Sequence, residues 1–202
     1  MNQAKEKSHR KEKVRRKDPV SPEKVEFKEG TLLFHSAHGP FMVKGVLRKP
    51  ELGGDGLCYW LEPDRRIRLG TRFFIAVNQI QKAGFHPPVS QGEAEKLLEY
   101  LRNGDELKPG SSKERIKEIC SLLQENTPWA FTRILFILSH ANTNEQSREE
   151  REALQRSVQG LTAELAYVLK IPVKSAALRM RKSIGFSAHA NQKVREALER
   201  VE

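Results

Sequence analysis

The stretch FKEGTLLFHSAHGPFMVKGVL, residues 27–47, decides the fold. Two runs of aliphatic, aromatic and β-branched residues, Thr31–Phe34 and Phe41–Leu47, flank the turn residues His38-Gly39-Pro40. Short apolar runs bounded in this way predict strands. Gly45, inside the second run, marks a bulge or bend. Working outward, Pro50 through Gly53-Gly54-Asp55-Gly56 is a loop. Leu57–Glu62, Ile67–Leu69 and Phe73–Val77 follow as third, fourth and fifth strands. Five short strands within about 55 residues predict a small SH3-like or Tudor-like β-barrel over residues 27–82. A barrel of that size binds along an edge or groove and has little room for chemistry.

From Ser90 the period becomes helical. Ala94, Leu97, Leu98 and Leu101 share one face, and Gly104-Asp105 ends that helix. Ser111 with Glu114 forms a capping box for the next, whose inner face is Ile116, Ile119, Cys120 and Leu123. Thr127 caps a third helix with Pro128 at its first position. Phe131, Ile134, Leu135 and Leu138 line it, and Trp129, Phe136 and Ile137 fill its other sides. Apolar nearly all round, it is expected at the centre, with Trp129 in the core. Ser147 and Glu150 make another capping box. The helix that follows runs to about Lys170 with Leu154, Val158, Leu161, Leu165 and Val168 inward. Pro172 ends it, and Val173, Ala176, Ala177, Met180 and Ile184 mark a short basic helix stopped by Gly185. Ser187 starts the last, with Val194, Ala197, Leu198 and Val201 on one face. The expected class is therefore α+β: an N-terminal barrel, then a helical bundle over residues 90–202.

The chain has 202 residues and a formal charge of +10. Residues 1–17 hold eight basic and two acidic groups, and residues 170–202 hold eight and three, so the stretch between sums to −1. Cationic ends on a near-neutral body suit a polyanion, because phosphate binding is driven by released counterions. Charged tails also serve solubility. Residues 1–26 have no apolar periodicity and read as a disordered basic arm. The longest aliphatic and aromatic run, Ile134–Leu138, is far too short to span a bilayer, and no apolar stretch follows the basic start to make a secretory signal. A cytoplasmic location is expected. Cys58 and Cys120, within apolar patterns, read as reduced core thiols.

No catalytic pattern stands out. His35, His38, His86, His140 and His189 are scattered, with no acidic partner at motif spacing. The glycines at 53–56 lack the Lys-Ser/Thr of a phosphate-binding loop, and Ser111-Ser112 is better explained as a cap than a nucleophile. Neither C-x-x-C nor a His pair at ligand spacing occurs, so no metal or other cofactor is expected, and no enzymatic activity.

The order of parts resembles the CarD/CdnL/TRCF family of bacterial RNA polymerase-binding proteins. The resemblance rests on Phe27-Lys28-x-Gly30, the His38-Gly39 turn and Ala83-Gly84 before the helices. It rests also on Ser147-x-x-Glu150-x-x-x-Leu154 followed by Leu161-x-x-Glu164-Leu165-Ala166, and covers roughly residues 27–170. It implies a barrel that binds a lobe of the RNA polymerase β subunit through a sheet edge. It also implies a helical domain that contacts promoter DNA at the upstream edge of the bubble and stabilises the open complex. Carried over by position, the polymerase contacts fall at Arg48 and Lys49, after the second strand, and at Arg72, with Phe74 at the nearest counterpart. Three solvated charges at strand ends fit the same residues.

The family's minor-groove Trp aligns with Ser111-Ser112, so that wedge is missing. The neighbouring Lys113, Arg115 and Lys117 keep phosphate-contacting character, and Lys170, Lys174, Arg179, Arg181 and Lys182 add a stretch without an acidic residue. That stretch also fits a solvated outer face over a Val173/Ala176/Ala177/Met180 core stripe. The expected partners are thus the RNA polymerase β subunit and promoter DNA, engaged by a monomer without sequence-specific base readout, and no membrane. The other reading is a general nucleic-acid-binding or nucleoid-associated protein that uses the barrel as its platform.

Overall fold

The computed structural model describes residues 26–52, 56–64, 72–104, 111–141, 146–185 and 192–201. The arm up to residue 25, the predicted strand Ile67–Leu69 and the predicted helix start at Ser187 lie outside the described residues. Among the described residues five antiparallel strands curl into a half-barrel: β1 Leu32–His35, β2 Gly39–Arg48, β3 Leu57–Pro63, β4 Phe73–Ala76 and β5 Phe85–His86. Their order is β4-β3-β2-β1-β5. The expected bulge is present: between Val43 and Gly45 the β2–β3 register shifts, and Gly45 pairs with Trp60. β4 stops at Ala76, where the 3-10 turn Val77–Gln79 takes over. β5 lies beyond residue 82, where the sequence placed the barrel's end; a two-residue strand has no alternation to read. The concave face buries Phe27, Leu33, Phe41, Val43, Tyr59, Leu61, Ile80 and Phe85. The Phe27 amide donates to the buried Tyr59 hydroxyl at 3.0 Å, so that polar atom is satisfied.

Six helices follow among the described residues: α1 Gln91–Asn103, α2 Ser112–Glu125, α3 Pro128–Ser139, α4 Arg148–Val168, α5 Val173–Gly185 and α6 Gln192–Glu199. Capping boxes open α1, α2 and α4 at Ser90/Glu93, Ser111/Glu114 and Ser147/Glu150. Thr127 caps α3 through the Ala130 amide, with Pro128 inside the first turn. α3 packs against α1, α2 and α4 and is buried on nearly every side, as its composition predicts. No helix among the described residues is long and apolar enough to cross a membrane.

Three apolar residues sit where the sequence did not place them. Trp129 is 43% exposed at the start of α3, and Val173, 46% exposed, lies off the α5 core stripe. Cys120 is exposed, while Cys58 is buried as expected. The reason at Cys120 is that α2 turns Arg115, Ile119, Leu122 and Asn126 inward, leaving Ile116 and Leu123 half-buried. Two of those four are polar, so the apolar pattern alone points to the wrong rotation.

Asn126 explains how the two halves join. It ends α2 in the left-handed conformation, φ 50°. Its Oδ1 accepts from Ser36 Oγ in the β1–β2 turn and from Arg156 on α4, while its Nδ2 donates to the Gly84 carbonyl. Beside it α4 crosses the turn at Gly160, where an added Cβ would stand 2.9 Å from Ser36 Cβ and 3.0 Å from the Phe131 ring. Only glycine permits that approach without displacing a neighbour.

Candidate partner-binding edge and basic helical face

Among the described residues β4 is the last strand on its side of the sheet and pairs only with β3. No further backbone hydrogen bond reaches Phe73–Ala76, so one row of its amides and carbonyls has no partner among the described residues. Such a row is a template for another strand. β5, the opposite border, is two residues long.

The register places Trp60 opposite Phe74 on the convex face. Each ring carries a cation: Lys49 Nζ lies 3.6 Å from the Phe74 centroid, and the Arg72 guanidinium carbon 5.4 Å from the Trp60 centroid. Arg72 Nε also lies 3.4 Å from Glu62 Oε1. Lys49 is set there by the end of β2, its amide donating to the Gly56 carbonyl across the loop. Arg48 is exposed next to it. The structure therefore holds Lys49 and Arg72 over rings beside the β4 edge, while Arg48, exposed and adjoining Lys49 in the chain, has no contact among the described residues that places it there. The Lys49–Phe74 pair was not legible in the sequence, because it needs the β3–β4 register.

The basic helical residues divide. Lys113 and Lys117 on α2 are exposed. Arg115 is not available to phosphate: its Nε donates to Glu150 Oε1 at 2.7 Å, with the Arg115 side chain 14% and the Glu150 side chain 2% exposed. On α5, Arg179 pairs with Glu95 and Arg181 with Glu199. Lys174 and Lys182 are exposed without an ion pair among the described residues and flank Leu178, which is also exposed. Residues four apart share a helix face, so Lys174, Leu178 and Lys182 form one stripe.

A second cluster lies at the junction of the halves. Glu164, buried on α4, accepts the Val89 amide with Oε1 at 3.0 Å, and its Oε2 stands 3.6 Å from His86 Nε2. His86 Nδ1 contacts the Pro87 carbonyl at 2.9 Å, which requires the proton on Nδ1 and turns a lone pair toward Glu164. Distance alone suggests an ion pair. Burial argues for a neutral pair instead: it pushes the Glu164 carboxyl up to about 8 and His86 down. His35 is pushed down to about 4, first by burial and then by His38, stacked on it at 4.6 Å. No group of three or more metal-ligating side chains is assembled among the described residues. The described residues thus present a strand border without a backbone partner beside two ring-stacked cations, and a separate lysine stripe on α5.

No protein-family model matches the chain, and no curated protein matches it.

Proposed function

We propose that this chain is a transcription regulator that grips the RNA polymerase β subunit with the β4 edge and rests its helical half on promoter DNA, modulating the open complex. In this reading the half-barrel is SH3- or Tudor-like, the protein belongs with the CarD/CdnL/TRCF regulators, and it works in the cytoplasm as a monomer by binding rather than by catalysis. The observation that carries it is the unpaired outer border of β4 with Lys49 and Arg72 fixed beside it. Strand addition takes affinity from main-chain hydrogen bonds and specificity from flanking side chains. Two cations beside the border select a strand bearing carboxylates, which an Arg fork meets with paired hydrogen bonds. They also disfavour pairing between two copies of this chain, since like charges would face each other.

On the helical side, Lys113, Lys117, Lys174 and Lys182 contribute phosphate contacts, which position a protein on DNA without reading sequence. Trp129 supplies the exposed aromatic surface that Ser111-Ser112 lack. The alternative, a nucleic-acid platform on the sheet, is weaker for a geometric reason. Bases stack on open aromatic faces, and here Lys49 lies over Phe74 and Arg72 over Trp60.

The test is binding of the full chain to an isolated β-lobe fragment of bacterial RNA polymerase, by calorimetry. Micromolar association that is lost in Arg72→Glu supports the proposal. A folded chain with no binding at tens of micromolar removes it. A steep salt dependence of DNA binding that survives in a chain truncated to residues 26–202, with no lobe binding, favours the nucleoid reading instead.

A further inference from the structure

A cleft of about 480 Å³ opens where the end of the half-barrel meets α4 and the start of α5. His38, Phe41 and Phe73 line it from the sheet, and Ala163, Tyr167 and Val173 from the helices. Its aromatic wall is ordered by ring contacts: Phe41 meets Phe73 edge-on at 5.1 Å, and His38 lies 5.4 Å from Phe73. The Tyr167 hydroxyl donates to Asp64 Oδ2 at 3.2 Å, so the polar tip of that ring is already engaged. The volume lies within the range of clefts that hold ligands, roughly 300–1,000 Å³.

Two observations identify the occupant. The first is continuity. Phe73 both begins β4 and lines the cleft, so a strand added antiparallel to β4 leaves the sheet at Phe73, beside the opening. The second is charge. Lys49 and Arg72 lie beside the border, with Arg72 Nε 3.4 Å from Glu62, while Lys170 and Lys174, next in sequence to the lining segment 171–173, are exposed without ion pairs among the described residues. Of the nearby carboxylates, Asp64 is engaged by Tyr167 and Glu62 by Arg72. The surroundings therefore suit an acidic extended peptide, and the apolar interior suits a hydrocarbon side chain. A nucleobase is a poor fit, because its polar edges would be buried without partners.

We propose that the cleft is the anchoring half of the polymerase site: the acidic β-lobe segment that pairs with β4 lowers one bulky apolar side chain between Phe73 and Val173. This rests on the polymerase reading of the β4 edge. The Val173 side chain, 46% exposed on the rim, becomes covered when the anchor seats.

The test has two arms on the full chain. In the first, indole stands in for the anchor, and the methyl signals of Ala163, Ile171 and Val173 are followed by NMR. Saturable millimolar binding that disappears in Ala163→Phe is expected. Absence of saturable shifts in the wild type overturns the inference. So does a cleft that takes indole only after Ile67→Ser and Leu69→Ser, because the chain's own residues would then be its occupant. In the second arm the β-lobe fragment is titrated against wild type, Ala163→Phe and Val173→Asp. Val173→Asp changes an exposed residue, so it keeps the test open if Ala163→Phe fails to fold. At least tenfold weaker binding by the variants is expected, with indole competing in the wild type. Equal affinity for all three overturns the anchor and leaves the edge reading standing. A wild type that does not bind the lobe sinks the edge reading itself, and the anchor with it.

Discussion

Replacing Arg115 with Met decides whether this residue serves the fold or DNA. Its Nε donates to Glu150 Oε1 at 2.7 Å, and Glu150 is 2% exposed. Met preserves much of the length and removes the charge, so the Glu150 carboxylate stays buried without its counter-ion. Breaking a buried pair from one side costs about 3–5 kcal/mol. The lower end applies here, because Glu150 Oε2 still accepts the Ser147 amide at 2.8 Å. At a urea slope of about 2 kcal/mol/M, a loss of about 3 kcal/mol lowers the unfolding midpoint by roughly 1.5 M. The double variant Arg115→Met/Glu150→Gln leaves no unpaired charge and recovers part of that loss. The same proteins are then titrated with DNA at increasing salt. Each phosphate contact contributes about 0.9 to the slope of log K against log salt, and Arg115→Met leaves that slope unchanged. A midpoint moved by less than about 0.3 M, with a slope shallower by about one, would refute the structural role and return Arg115 to the DNA surface.

Lys174→Gln/Lys182→Gln, on the free stripe of α5, lowers the salt slope by about two while leaving the melting curve in place. Glu164→Gln changes stability with pH in a defined direction. Burial raises the Glu164 carboxyl in the folded protein to about 8, so its contribution is full below its unfolded range near 4.5 and is lost as pH rises through 8. The Gln variant loses stability less steeply between pH 5 and 9 in urea titrations; parallel pH curves for the two proteins refute a buried protonated carboxyl. Gly160→Ala forces a Cβ against Ser36 and Phe131 and costs about 1–3 kcal/mol, seen as a lower melting temperature. Trp129→Ala removes a half-exposed ring that rests edge-on against Tyr100 at 6.1 Å. It destabilises by about 1 kcal/mol or less, yet shortens open-complex lifetime in a promoter assay; an unchanged lifetime takes Trp129 out of the DNA surface.

The fold was legible where a residue's own chemistry sets local structure. Ser111 with Glu114, Ser147 with Glu150, and Thr127 before Pro128 start helices because their side chains satisfy the first free amides, whatever lies elsewhere in the chain. The strands at 32–35, 39–48 and 57–63 and the Gly45 bulge follow from short-range alternation in the same way. What failed to show depends on partners distant in sequence. Arg115 looked like a surface cation because Glu150 is 35 residues away. No sequence pattern marks Asn126, although three groups from β1–β2, Gly84 and α4 converge on it. Trp129 looked like core because its helix is, and only the packing of α1 and α3 leaves that one position at the rim.

The same distinction bears on the candidate edge. A basic residue at a strand end is ordinarily a flexible solvated charge, and ordering it on binding costs entropy. Lys49 and Arg72 differ because the β3–β4 register has stacked Trp60 and Phe74 beneath them. Part of the ordering is complete before a partner arrives, so a carboxylate meeting these cations pays less than one meeting free lysines. Removing a ring should therefore weaken the partner almost as much as removing the cation above it. Phe74→Ala, which leaves every charge intact, separates a preorganised edge from one that merely carries positive charge. Lobe binding weakened several-fold supports the first, and unaltered affinity with strong salt dependence supports the second.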